Sequence, residues 1–286
     1  MASNNEFKLA GNQGRLQGFA NLLNKENRLW WRTSRWWVQT LIWLAISNGI
    51  LLLVIGIAPK MENPPGEDAK AAQAAEQAGG SVQGLDILGL TVFLKIAGIA
   101  GAIGVVVLTQ GALIGENQSG TTAWVLSKPA SRWAFILSKV SSYSFGILIT
   151  MAVAQGAFAY LIIFLITGKA FPVLAFAGAV GLLFLSLLFW LALTIMLSTL
   201  SNSRGMSIGI PLFLILGFTF FVEIAPWTAN FMPWNLTSGV SSTRSALAVS
   251  LVLGKSIPTL MPVVATVVGY LLFTLVAIWR FQKEEF

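Results

Sequence analysis

The 286-residue chain is 56% hydrophobic and only 10% charged, which excludes an ordinary water-soluble domain and makes a lipid bilayer the better solvent. It contains no cysteine and no histidine, which excludes disulfides, thiolate or imidazole metal sites and nucleophile pairs built on those residues. The formal charge of +7 is informative through where the charges sit along the chain, and no nucleic-acid partner is expected.

Residues 14–37 place Leu16, Phe19, Leu23 and Trp30 on roughly one helical face, with Arg15, Lys25, Arg28 and Arg32 elsewhere. That pattern predicts an amphipathic helix lying in the membrane interface, with Trp30, Trp31, Trp36 and Trp37 as anchors at the headgroup level. The first 35 residues are polar and charged, so no cleaved leader is expected and the first span directs insertion.

Apolar runs at 38–58, 87–112, 140–167, 173–198, 207–224 and 260–280 are each near the ~20 residues needed to cross a hydrocarbon core. They are continuously apolar rather than alternating, so they read as helices and not as barrel strands. The expectation is a single all-α transmembrane domain over 1–286 with six spans. An exposed loop should follow the first span, and the short "TGKAFP" turn should make spans three and four antiparallel neighbours. Residues 225–259 are semi-apolar but broken by proline and glycine, which predicts short external re-entrant helices, with Trp227 and Trp234 at the outer headgroup level.

Six spans leave both termini on one side. Twelve Lys/Arg fall on that side (Lys8, Arg15, Lys25, Arg28, Arg32, Arg35, Lys128, Arg132, Lys139, Arg204, Arg280, Lys283), against five opposite (Lys60, Lys70, Lys169, Arg244, Lys255). Positive charge is retained inside, so both termini are expected in the cytoplasm of a multi-pass cell-membrane protein, such as one of a bacterial or archaeal inner membrane. Gly98, Gly101 and Gly104 recur every three residues in the second span and read as close-packing positions. Lys95 lies within that span and needs protein or a cavity around its ammonium; Glu223, near the external end of span five, is its candidate partner in the pathway. Gly254 to Ser256 spell the tail of a phosphate-binding loop, but Val249 stands where its first glycine should be, so no nucleotide site is expected in this chain.

The polar break between spans two and three, "ENQSGTTAWVLSKPASRW", is the most distinctive stretch. Gly120, Thr121 and Thr122 can start a short helix, Pro129 stops it and Ser131 can cap the next one. Trp124, Val125 and Leu126 have no reason to face water, which suggests a docking surface. Glu116, Gly120, Thr121, Leu126, Pro129, Arg132 and Lys139 together resemble the corresponding segment of the ABC-2 type permeases, the membrane subunits of type V ABC exporters. The whole layout is similar too. The resemblance implies an N-terminal elbow helix, two permease chains (a homodimer or a related pair) forming a translocation pathway, and two separate ATPase subunits beneath. It further implies that 116–132 is a coupling helix seated in the ATPase, with Glu116, Gly120, Thr121, Leu126, Pro129 and Arg132 in that role and Trp124 and Val125 as added contacts. ATP and Mg would then be bound by the partner ATPase, with no cofactor and no catalytic residue in this chain. An ion- or proton-coupled secondary transporter is the alternative, although such proteins carry broken helices and midplane ionisable groups, whereas this chain has one intramembrane lysine and no duplicated halves.

Overall fold

The computed structural model describes residues 16–57, 84–122, 130–217, 220–239 and 246–283, apart from positions 17, 120, 202, 221, 223 and 258. All regular elements among the described residues are helical. In chain order they are α1 (Phe19–Trp31), α2 (Arg35–Ile57), α3 (Leu85–Thr109), α4 (Gly111–Gln118), α5 (Arg132–Thr167), α6 (Val173–Leu200), α7 (Arg204–Leu216), α8 (Trp234–Thr237), α9 (Leu247–Val252) and α10 (Met261–Gln282).

Five helical stretches are long and apolar enough to cross a membrane: α2, α3 continued by α4, α5, α6 and α10. Of the expected fifth crossing at 207–224, residues 218, 219, 221 and 223 lie outside the described residues. Its regular helix α7 has 13 residues and rises only about 20 Å, against a hydrocarbon core of about 30 Å. It carries Pro211 in its interior, which removes one ladder hydrogen bond. The second rod is longer than expected, because α4 carries the helical chain on to Gln118.

α6 lies at the centre, packed on α3, α5, α7, α8, α9 and α10. Leu183, Leu187 and Leu191 are fully buried along it, and Phe93 and Leu94 of α3 are equally enclosed. The small residues of α3 explain how these rods approach. A Cβ built on Gly98 would fall 2.2 Å from Thr237 Oγ1, one on Gly101 3.0 Å from a Leu187 methyl, and one on Gly104 1.9 Å from the Trp43 ring. Each glycine thus admits a different neighbour: the short helix α8, the central α6 and the first span α2. Gly104→Ala forces the Trp43 indole out of its seat and should cost about 1–3 kcal/mol, read as earlier thermal inactivation in detergent. Gly49→Ala in α2 meets nothing within 4 Å and should leave that midpoint unchanged or raise it.

α2 and α5 each contain wide π-type turns, at Leu44–Asn48 and Leu148–Val153. Such turns loosen the ordinary ladder, and lipid offers no water to repair it. Two buried amides do so instead. Asn48 Nδ2 donates to Gln155 Oε1 at 2.9 Å, and Gln155 Nε2 donates to the Thr150 carbonyl at 2.8 Å and the Thr40 carbonyl at 3.3 Å.

One face of the bundle is closed by a 3-10 turn at Pro226–Asn230 with α8 and α9. These short pieces pack on the spans, as their broken apolar sequence suggested, but Trp234 is 6% exposed and belongs to the core, whereas Trp227 is 66% exposed. On the same face Lys169 Nζ lies 3.9 Å from Asp86 Oδ2, tying the turn after α5 to the start of α3.

Candidate functional site: a buried charge cluster beneath the second span

The face of the molecule that carries α1 gathers four charged side chains where three helices meet. α1 supplies Lys25 and Glu26, α4 supplies Glu116 near its end, and α5 supplies Lys139 two turns from its start. Lys139 Nζ lies 3.0 Å from Glu26 Oε1 and 2.8 Å from Glu116 Oε2. Lys25 Nζ lies 2.8 Å from Glu116 Oε1 and 3.6 Å from Glu26 Oε1. The cluster is electrically balanced, two ammoniums against two carboxylates.

Lys139 is 2% exposed and also lies 5.1 Å from the Phe135 ring centroid, so its ammonium is almost wholly removed from water. An ion at that depth is tolerable only while both carboxylates stay seated. The cluster therefore fixes α1, α4 and α5 relative to one another. Trp30 completes the joint: it stands edge-on to Tyr143 at 5.6 Å, and a Cβ on Gly146 would lie 2.9 Å from its ring. Asn27 accepts a 2.8 Å hydrogen bond from Ser142 Oγ.

These contacts correct the reading of the N-terminal helix. The face turned to the protein carries Leu22, Glu26 and Trp30 at helical spacing, while Leu16 is 58% exposed. Trp30, expected among the headgroup anchors, is 3% exposed and is a packing residue; Trp31 is partly buried; Trp36 and Trp37 remain exposed. Glu26 was the missed residue. A carboxylate four residues after Leu22 and four before Trp30 sits in the apolar stripe, and that misfit was visible in the spelling.

The segment 116–132 is placed at its two ends. Glu116 holds the cluster, Thr121 Oγ1 and Ser119 Oγ lie 2.8 Å apart, and Ser131 Oγ caps α5 by accepting from the Ala134 amide at 3.0 Å. Arg132 donates to the Gln282 carbonyl at the end of α10, and Arg204 Nη2 donates to Gln118 Oε1 at 3.3 Å. Gly120, Trp124, Val125, Leu126 and Pro129 lie outside the described residues, as does Glu223. Lys95 is exposed on the outer side of α3 and pairs with no carboxylate among the described residues.

The family model described as ABC-2 family transporter protein matches residues 20–286. The chain belongs to the ABC-2 transporter family. No curated protein sequence matches it. Membership makes this ABC-2 chain a multi-pass membrane transport subunit and not itself a catalyst. The matched region begins at the second residue of α1 and takes in the charge cluster, all five long helices and α7.

Proposed function

We propose that this ABC-2 chain is the membrane-spanning permease subunit of an ATP-driven exporter, working as a dimer and driven by separate ATPase subunits seated on the 116–132 segment. The observation that carries this reading is the position of Glu116. It stands at the end of the second rod, where the segment leaves, and is held by lysines from two other helices. A push on the segment is thereby delivered to α1, α4 and α5 together. Arg132, at the other end of the segment, bonds to the end of α10 and extends the same connection to the last span.

The dimer is supported by Lys95. An ammonium about ten residues into a membrane helix is costly against lipid, so its exposed face calls for a second chain and a hydrated passage there. Placing both termini in the cytoplasm follows from the lysine and arginine asymmetry, and puts the charge cluster at the inner face where an ATPase can reach it.

Reconstitution tests the reading. The chain with its candidate ATPase in proteoliposomes should show nucleotide-dependent export, and the chain alone should hydrolyse no ATP. Transport by the chain alone, driven by an ion or proton gradient and indifferent to nucleotide, would instead establish the secondary-transporter alternative.

A further inference from the structure

Beside the charge cluster lies a cavity of about 460 Å³ enclosed by α1, α2, the end of α3, α4 and α5. Its polar wall includes Glu26, Arg35, Gln39, Glu116, Lys139 and Tyr143. Two apolar residues of its wall, Leu29 and Val107, are 40% and 54% exposed, so the cavity opens sideways to the surroundings between α1 and α3.

The charges around it do not cancel once the pairs are assigned. Glu26 and Glu116 are matched by Lys25 and Lys139. Arg35 is left over, with no carboxylate partner among the described residues. Gln39 and Tyr143 add further donors to the wall. Gln39 Oε1 already accepts from Trp43 Nε1 at 3.0 Å, which leaves its amide NH₂ for another partner. Tyr143 is buried, and its hydroxyl makes no hydrogen bond with any described residue. A guanidinium, an amide NH₂ and a phenol around one cavity make a site for a singly charged oxyanion, to which an arginine fork is well matched. Trp36 and Trp37, next to Arg35 in the chain, are exposed and suit the headgroup layer, and the apolar rim of Leu29 and Val107 gives hydrocarbon tails a way out.

We propose that this cavity binds the phosphodiester of a membrane phospholipid, with Arg35 as the charged anchor, Gln39 and Tyr143 as further donors, and the acyl chains leaving across Leu29 and Val107. The lipid is a resident ligand wedged against the joint of α1, α4 and α5. Assigning it to the inner leaflet rests on the proposed cytoplasmic placement of α1; the binding itself does not.

The test is native mass spectrometry of the delipidated full-length chain in detergent, titrated with phosphatidylglycerol, with diacylglycerol and inorganic phosphate as separate arms. It needs neither an ATPase nor transport, so its failure is distinct from failure of the exporter reading. The wild type should retain one phosphatidylglycerol per chain and no diacylglycerol. Arg35→Gln should lower the lipid affinity about tenfold or more and Tyr143→Phe by a smaller factor. Arg28→Gln, on the exposed side of α1 and outside the cavity wall, should leave it unchanged. Should Arg35→Gln fail to fold, Arg35→Lys, which keeps the charge but loses the fork, and Tyr143→Phe decide the matter by the same loss of adduct. Equal effects of the Arg28 and Arg35 changes, full retention in Tyr143→Phe and Arg35→Gln, or displacement of the lipid by millimolar inorganic phosphate would each overturn the proposal.

Discussion

Lys139→Met is expected to be the most damaging single substitution in the half of the bundle that carries α1. Methionine fills the volume, yet Glu26 and Glu116 then share an enclosed space without the ammonium that lies within about 3 Å of both. Removing one partner of a buried ion pair costs about 3–5 kcal/mol, a large share of the 5–15 kcal/mol that holds a typical domain together. The variant should lose most of its thermal stability in detergent and most of its surface expression. The cluster also dictates what repairs it. Glu116 keeps Lys25 at 2.8 Å, so neutralising only the other carboxylate, as Lys139→Met with Glu26→Gln, should recover most of the loss. A triple-helix joint indifferent to Lys139→Met, or a double variant no better than the single one, would show that the ions are not what fixes α1 and α5 to α4.

The second large effect is expected at 116–132, the proposed docking segment. Changing Glu116 to Gln and Pro129 to Ala together should reduce copurification of the ATPase by about thirtyfold or more, the scale of losing an interface hot spot. Glu116 orients the start of the segment through its two lysines, and Pro129 is placed by the sequence at its end. The informative control is Glu26→Gln. It weakens the same cluster from α1 without altering 116–132, so it should leave ATPase binding intact while lowering nucleotide-driven transport. Retained binding and retained coupled turnover in the double variant would remove the segment from the coupling role.

Most of the architecture was readable because hydrocarbon imposes a simple requirement. A continuous apolar run has no alternative to a helix, and five of the six expected runs are long membrane helices. The same holds for Ser131, whose position just before Arg132 and an apolar run marked it as a cap, and whose hydroxyl accepts from Ala134. At α7 the regular helix runs through Pro211 and ends at Gly217, inside a run whose mean apolarity alone suggested one uninterrupted helix. Composition counts hydrophobic residues but does not measure continuity of the backbone ladder.

The charge cluster was less legible, because pairing across 91 and 113 positions leaves no periodic trace. Each member alone resembles something simpler. Lys25 resembles the polar face of an interfacial helix and Lys139 the positive flank of a span, while Trp30 beside them was expected to be an anchor. Only Glu26, a carboxylate inside an apolar stripe, carried the misfit in its own neighbourhood. Lys95 shows the opposite situation. Its depth in α3 was evident from the sequence, and its exposed side in the single chain is where the proposed second chain would be.

The absence of cysteine makes the central claim directly measurable, since one introduced thiol is a unique label. Ser127→Cys, probed in right-side-out and inverted membrane vesicles with a membrane-impermeant maleimide, should react only from the cytoplasmic face and should be shielded when the ATPase is bound. Reaction from the external face alone would leave the segment nothing to couple to, and would contradict the account.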